Sequence, residues 1–250
     1  MPKKIGVLNL NKIYVVGIGP GRYEEMSIRA ARVLENCNVI VGYTVYVDLV
    51  REHFKAKFIS TPMRQEKERC TMAFQEAKRG EQVAVICSGD PEVYGLASLM
   101  FEIGEEYPSV EIEVVGGMTA ALSAGAVLGA PLNHDFSLIS LSDLLTPWEV
   151  IEKRIRVSAQ GDFIICFYNP SSHKRSDYLK KACSIMLEFK EGGTVCGLVK
   201  NIGRAGEESK VMSLKELVDY EADMFTTIIV GNNETKVING KMVTPRGYKL

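Results

Sequence analysis

Three short glycine-rich stretches hold the residues best suited to chemistry in this 250-residue chain. They are Gly17-Ile18-Gly19-Pro20-Gly21, Ser88-Gly89-Asp90-Pro91 and Gly116-Gly117-Met118-Thr119. Each follows an apolar, strand-like run: Lys12–Gly19, Val83–Cys87 and Glu111–Val115. Glycine has no Cβ, so a ligand can approach the backbone closely. Pro20 fixes φ and removes a donor, which makes a stiff turn. Asp90 offers a carboxylate to a cation or a hydroxyl, and Thr119 offers a hydroxyl. Taken singly, each has a plain alternative: a tight strand–helix turn, or a helix cap at Asp90 or Thr119. Three such corners, each at the end of a strand, together point to a bound small molecule. Arg22 is the only basic residue among them, so the ligand is not a simple phosphate.

Several other chemistries are excluded or left without support. Dinucleotide binding needs Gly-x-Gly-x-x-Gly, with its third glycine at position 22, where Arg22 stands. The second strand should also end in an acid for the ribose, and it ends Val41-Gly42-Tyr43. No phosphate-binding Gly-x-x-x-x-Gly-Lys-Ser/Thr loop occurs. The six cysteines (Cys37, Cys70, Cys87, Cys166, Cys183, Cys196) show no C-x-x-C pair and read as free structural thiols. His53, His134 and His173 show no zinc spacing, so no metal site is expected. A net charge of −1 gives no global basic field for nucleic acid. No apolar run nears the roughly 20 residues a bilayer span needs, and the apolar stretch after Met1 is too short for a signal sequence. A cytoplasmic protein without a membrane partner is the expectation.

The elements that must position these corners alternate. Helical spacing is expected over Glu24–Cys37, Glu66–Arg79, Tyr94–Tyr107 and Thr119–Leu128, with further strands at Val39–Gly42 and Lys57–Thr61. This β-α-β-α order implies an α/β fold with a mostly parallel sheet, which binds ligands at the carboxyl ends of its strands. Gly129–Asp135 reads as a connection. Beyond it, strands are expected at Phe136–Leu141, Phe163–Tyr168, Thr194–Val199 and Thr226–Val230. Helices fit Pro147–Val157, Arg175–Phe189 and Ser213–Tyr220, and Thr235–Val243 reads as a hairpin turning at Asn239-Gly240. Two α/β domains are therefore expected, residues 1–130 and 131–250, with a ligand cleft between them.

In this order, Val16–Gly21, Cys87–Pro91, Gly116–Ala121 and Gly129–Leu132 resemble the tetrapyrrole (corrin/porphyrin) methyltransferase family, enzymes that use S-adenosylmethionine (SAM). Asn133–Phe136, Ile139–Asp143, Thr146–Trp148, Phe167–Ser172 and Lys200–Arg204 are similar to its branch acting at carbon 17 of precorrin-3B or cobalt-precorrin-3, in cobalamin biosynthesis. Met63-Arg64 and Gly42-Tyr43-Tyr46 fit the same branch. The resemblance implies a parallel N-terminal sheet, a mixed C-terminal sheet, SAM in the cleft and a homodimer. It places cofactor contacts on Pro20, Ser88, Gly89, Asp90, Val93, Thr119 and Ala120, and in the second domain on Asn169, Gly203 and Thr227. Where the family often carries Met after Tyr, this chain has Asn169.

The implied reaction methylates carbon 17 and contracts the macrocycle, extruding one meso carbon from the ring. Methyl transfer is in-line, so its demands are mainly positional. Asp90 would hold the ribose or offset the sulfonium. Ring contraction calls for a general acid or base, for which Asp135, His134 and Tyr46 are candidates, with Asp143 and Tyr168 as further ones. A connector hydrogen bond is the plain reading of His134, and helix packing that of Trp148. The substrate's carboxylates suit guanidinium and ammonium groups. Gly19, Gly21, Arg64, Ser142, Asp143, Lys200 and Arg204 are the expected substrate contacts, with Lys67, Arg69, Lys174 and Arg175 nearby. Two rivals remain: a same-fold methyltransferase for another precorrin position or diphthine, and a SAM-binding module without turnover.

Overall fold

The computed structural model describes residues 11–171 and 176–249. Ser172, His173, Lys174 and Arg175, and the start of the helix expected from Arg175, lie outside the described residues, as do residues 1–10. The chain divides into two compact units, Met1–Thr119 and Ala120–Leu250.

The first unit runs β1 (Lys12–Gly17), a single 3₁₀ turn, α1 (Ile28–Asn36), β2 (Val39–Tyr43), α2 (Thr44–Val50), β3 (Lys57–Thr61), α3 (Glu66–Lys78), β4 (Val83–Cys87), α4 (Ala97–Gly104) and β5 (Glu111–Val115). Its sheet has the order β3-β2-β4-β1-β5, and every neighbouring pair is parallel. The central strands β1, β2 and β4 are buried on both faces, as continuous apolar strands require, while the edge strands β3 and β5 are only partly buried. Ile13, Val15, Val39, Val41, Val83 and Val85 face Phe74, Ala77 and Met100. The alternate residues Tyr14, Val16, Ile40, Ala84 and Ile86 face Leu34, Val47 and Val50. Period-two alternation thus feeds two separate cores.

Three helices differ from the sequence expectation. α1 begins at Ile28 rather than Glu24, because the Ser27 hydroxyl accepts from Ala30 N at 3.1 Å and caps the helix there. α4 begins at Ala97 rather than Tyr94, because Tyr94 sits at φ 55°, outside helical geometry. α2 was not expected. Its β-branched run is weakly helical by itself, and burial of Val47 and Val50 holds it.

The second unit runs α5 (Ala120–Leu128), β6 (Gly129–Ala130), β7 (Phe136–Ser140), α6 (Trp148–Gln160), β8 (Ile164–Tyr168), α7 (Tyr178–Met186), β9 (Val195–Lys200), β10 (Glu208–Ser213), α8 (Leu214–Leu217), β11 (Thr226–Val230), β12 (Lys236–Ile238) and β13 (Lys241–Val243). Its main sheet, β10-β9-β11-β8-β7, is mixed: only β7–β8 is parallel. β10 was not expected. It is an edge strand whose first half is exposed and charged, which hides the apolar alternation. α6 and α7 cover one face of the sheet. α5 covers the other with Ala121, Ala124 and Leu128, against Cys166, Val199 and Ile229. This small-residue face is why α5 falls in the second unit, whereas the expected boundary at 130/131 had left it in the first.

The C-terminal hairpin turns at Asn239 (φ 49°) and Gly240 (φ 76°), the left-handed pair a two-residue turn needs. β13 then pairs with β6, and the Thr244 hydroxyl donates to Pro131 O at 2.7 Å. The hairpin therefore ties down the segment that leaves α5.

All six cysteines are buried and unpaired. Burial pushes the Cys37, Cys70, Cys166 and Cys183 thiols up to about 12 and Cys87 to about 11, and raises Cys196 as well. The unfolded thiols ionise near 9.0 while the folded ones stay neutral. Their contribution to stability is therefore whole below that value and is lost as pH rises toward about 12. Denaturant unfolding in reductant should show stability falling steadily between about pH 9 and about pH 11. Replacing Cys166 and Cys183 with Ala or Val should flatten that fall.

Candidate functional site

In the first unit β1 lies between β4 and β5, so the three glycine-rich corners leave adjacent strands at the same edge. Gly17 pairs with Cys87, and Val16 with Val115. Beyond the strands the backbones stay joined. Gly19 N donates to Gly89 O at 3.2 Å, and Gly89 N donates to Gly19 O at 2.7 Å. A Cβ on Gly17 would lie 2.6 Å from Gly89 O and 2.7 Å from Gly117 N. One on Gly117 would collide with Gly89 O and the Gly17 carbonyl. Glycine is needed here because backbone packs on backbone.

Asp90 locks this contact. Its Oδ2 accepts from Gly117 N at 3.0 Å, and its Oδ1 from Glu92 N at 2.8 Å. The carboxylate thus ties the β4 corner to the β5 corner, a structural role the sequence did not disclose. Each carboxylate oxygen takes more than one donor, so acceptor capacity remains for a ligand. Gly19, Pro20 and Gly89 are buried around it, while Gly21, Ser88, Val93 and Thr119 are half-buried. At the β2 and β3 end of the same edge lie Tyr46, edge-on to Tyr43 with centroids 5.1 Å apart, and Arg64. Arg64 is exposed at φ 70°, and its backbone N–H donates to Glu66 at 3.1 Å.

A second cluster forms in the second unit. The carboxyl ends of β7, β8 and β9 and the amino end of β11 share one sheet edge, as the pairings Thr226 with Lys200 and Ile228 with Phe167 require. Asn169, at φ 51°, donates from Nδ2 to the Ser140 hydroxyl at 3.0 Å, and that hydroxyl also accepts from Ser142 N at 3.2 Å. The Tyr168 hydroxyl accepts from Ala121 N at 2.8 Å, satisfying a first-turn donor of α5 and placing Ala120 beside the Asn169 turn. Asp143 accepts from the Tyr178 hydroxyl at 2.7 Å, and Trp148 packs on Tyr178 with centroids 4.5 Å apart. Gly203, at φ 67°, donates to Glu207 at 2.7 Å. Arg204 lies over the Phe225 ring at 5.7 Å, and Thr227 is buried. Lys200 pairs with Asp223 at 2.9 Å, a hydrogen bond that raises its pKa.

His134 and Asp135 are not brought to this cluster. They precede β7, at the opposite sheet edge, and five residues of strand span about 17 Å. His134 Nε2 sits 2.9 Å from Pro245 O, the connector hydrogen bond that is its plain reading. Among the described residues no group of three or more His, Cys, Asp or Glu is placed to hold a metal ion. Arg69 is buried, donating to the Thr61 hydroxyl and Pro62 O, so it braces the loop before α3.

A parallel unit with three fused glycine corners and a mixed second unit define a known class. The family model for Tetrapyrrole (Corrin/Porphyrin) Methylases matches residues 12–218, and the chain belongs to that family. It is 46% identical over 239 residues to the cobalamin biosynthesis protein CbiHC of Archaeoglobus fulgidus, covering 95% of this chain but 53%, about half, of that protein. It is 44% identical to a probable cobalt-factor III C(17)-methyltransferase of Salmonella typhimurium, covering 94% of this chain and 99% of that one. Among solved structures it superposes on the methyltransferase CobJ with a TM-score of 0.87 and 36% identity, over 94% of this chain and 100% of that one.

The crowding predicts unequal costs for two neighbouring glycines. Gly117→Ala should cost about 3 kcal/mol of unfolding free energy, as an overpacking change that must shift backbone. At Gly116 the nearest atom to a new Cβ is Asp90 Oδ2 at 3.5 Å, so Gly116→Ala should stay within about 1 kcal/mol of the parent. Urea unfolding of the two variants checks both.

Proposed function

We propose that this chain transfers the methyl group of SAM to carbon 17 of precorrin-3B or its cobalt form and contracts the ring, in cobalamin biosynthesis. The observation that carries this is the nearly end-to-end likeness to a relative named for carbon-17 methylation. The fused corners fit the methyl donor chemically: glycines permit close backbone approach, and Arg22 is the only basic residue among them, so a phosphate would be poorly served. When bound, SAM supplies an electrophilic methyl on a sulfonium that leaves as a neutral thioether.

The chain's own residues then position and shield. A carboxylate beside the sulfonium would favour the charged ground state over a transition state in which that charge disperses. Asp90 therefore serves better by holding ribose hydroxyls with its remaining lone pairs. Pro20, Ser88, Gly89, Val93 and Thr119 line the same corner, and Ala120, Asn169, Gly203 and Thr227 belong to the second-unit cluster. Arg64 and Arg204 take substrate carboxylates, as does Lys200 when it exchanges Asp223 for substrate; Gly19, Gly21, Ser142 and Asp143 shape the remaining contacts. Among the acid–base candidates, Tyr46 is favoured over His134 and Asp135. It lies at the same sheet edge as the corners, whereas His134 and Asp135 lie at the far edge of their own sheet. The active form is a cytoplasmic homodimer; among the described residues no helix is long and apolar enough to cross a membrane.

Incubation with SAM and each substrate form, read by mass and absorption, tests the reading. A product one methyl heavier with a changed chromophore is expected. Methylation at another position, or on diphthine, would replace the reading with that alternative. Asp90→Asn should raise the KM for SAM about tenfold with a smaller effect on kcat, the pattern of a lost ground-state contact. An unchanged KM would remove Asp90 from the ribose.

A further inference from the structure

Arg69 lies on α3, and its side chain reaches back to the carboxyl end of β3. Its Nε donates to the Thr61 hydroxyl at 3.0 Å, and its Nη2 donates to Pro62 O at 3.1 Å. The Tyr43 ring, at the end of β2 that pairs with Thr61, has its centroid 5.9 Å from the guanidinium carbon. These contacts fix the fork in place, yet every one of them is to a neutral group. The nearby carboxylates are turned elsewhere. Glu66, on the same helix, accepts from Arg64 N, and Asp90, at the β4 corner, accepts from Gly117 N and Glu92 N. The charge is felt at that corner too: burial raises the Cys87 thiol, and Arg69 works against the rise.

The residue is only 3% exposed. Arginine does not shed its proton in a protein, so a full charge is held out of water here. Such a charge is costly unless an anion meets it. Bracing the loop does not call for that cost, since a neutral donor could bond Thr61 and Pro62. Nor is the fork used up, because a guanidinium carries more N–H donors than these two bonds occupy. Nη1 has no acceptor among the described residues. The buried side-chain polar atoms without a partner among those residues are Glu25 Oε2 and Ser137 Oγ, so the unbonded Nη1 is not sealed in and solvent reaches it. The fork is thus gripped from one side and open at one nitrogen, at the sheet edge that carries the glycine corners.

We propose that Arg69 is a substrate-contacting residue whose open Nη1 takes a side-chain carboxylate of the tetrapyrrole. This rests on the methyltransferase reading above. A planar fork matches the two oxygens of a carboxylate, and the bound anion supplies the counter-charge that the fold withholds. Position in the sequence did not separate Arg69 from Lys67; burial without a counter-ion does, since Lys67 is exposed. Arg64, exposed on the loop that Arg69 braces, brings a second cation to the same place.

The test compares Arg69→Lys and Arg69→Met with the parent enzyme. Binding of the tetrapyrrole substrate is read by absorption with S-adenosylhomocysteine in place of SAM, and KM for each substrate is read from turnover. Loss of a charge-assisted bond should weaken tetrapyrrole binding by about tenfold or more in Arg69→Met. Arg69→Lys keeps the charge and loses the fork, so it should fall between Arg69→Met and the parent. The KM for SAM should hold within about twofold in both, a split that a collapsed loop would not give. Tetrapyrrole binding within about twofold of the parent in both variants overturns the proposal, as does an equal rise in both KM values. Should Arg69→Met fail to fold, Arg69→Lys decides alone, and parent-like tetrapyrrole binding there overturns the proposal. Failure of the underlying reading looks different: the parent itself would neither bind nor methylate the tetrapyrrole, and the proposal would fall with it.

Discussion

The contact of three backbones at Gly17, Gly89 and Gly117 is the constraint on which the first unit's site depends. Adjacent parallel strands are about 4.8 Å apart, and chains leaving them would normally diverge into their helices. Here they stay in contact past the strand ends, through the Gly19–Gly89 pair and the Asp90 carboxylate on Gly117 N. Side chains at these points would wedge the corners apart. The result is an edge where backbone, rather than long side chains, forms the floor, and such a floor changes little when a ligand arrives.

The same tie gives Asp90 two roles. A carboxylate that accepts two backbone N–H groups is fixed in direction before any ligand is present. Fixed polar groups are those that position a reactant without a reorganisation cost. In the second unit the Ser140 hydroxyl has a comparable place, gathering Asn169 Nδ2 and Ser142 N, while Tyr168 secures the first turn of α5. Each unit thus carries a polar cluster at one sheet edge, held by bonds internal to that unit.

Rigidity is distributed accordingly. The parallel sheet is apolar on both faces, the mixed sheet is covered by α6 and α7 on one face and α5 on the other, and the hairpin β12–β13 clamps Gly129 and Ala130. Left-handed residues other than glycine concentrate in turns, at Arg64, Tyr94, Asn169 and Asn201. Asparagine tolerates that conformation, and Arg64 and Tyr94 do so less readily. Arg64 lies three residues beyond β3, and Tyr94 in the turn between β4 and α4.

The sequence by itself determined the strands of the first unit almost to the residue, since the central ones are short apolar runs closed by turn residues and are legible without partners. It also determined the three corners, the family and the hairpin turn at Asn239-Gly240. Helix starts were less legible, because Ser27 and Tyr94 set them through cap geometry and local φ rather than through periodicity. α2 and β10 were missed, since tertiary burial holds the one and an exposed charged half masks the other. Only the tertiary structure decided that α5 belongs with the second sheet, that His134 and Asp135 sit at the far edge from Asn169, and that Asp90 binds Gly117. Those facts depend on contacts between residues far apart in the chain, and spacing along the sequence carries no information about which distant backbone a carboxylate will meet.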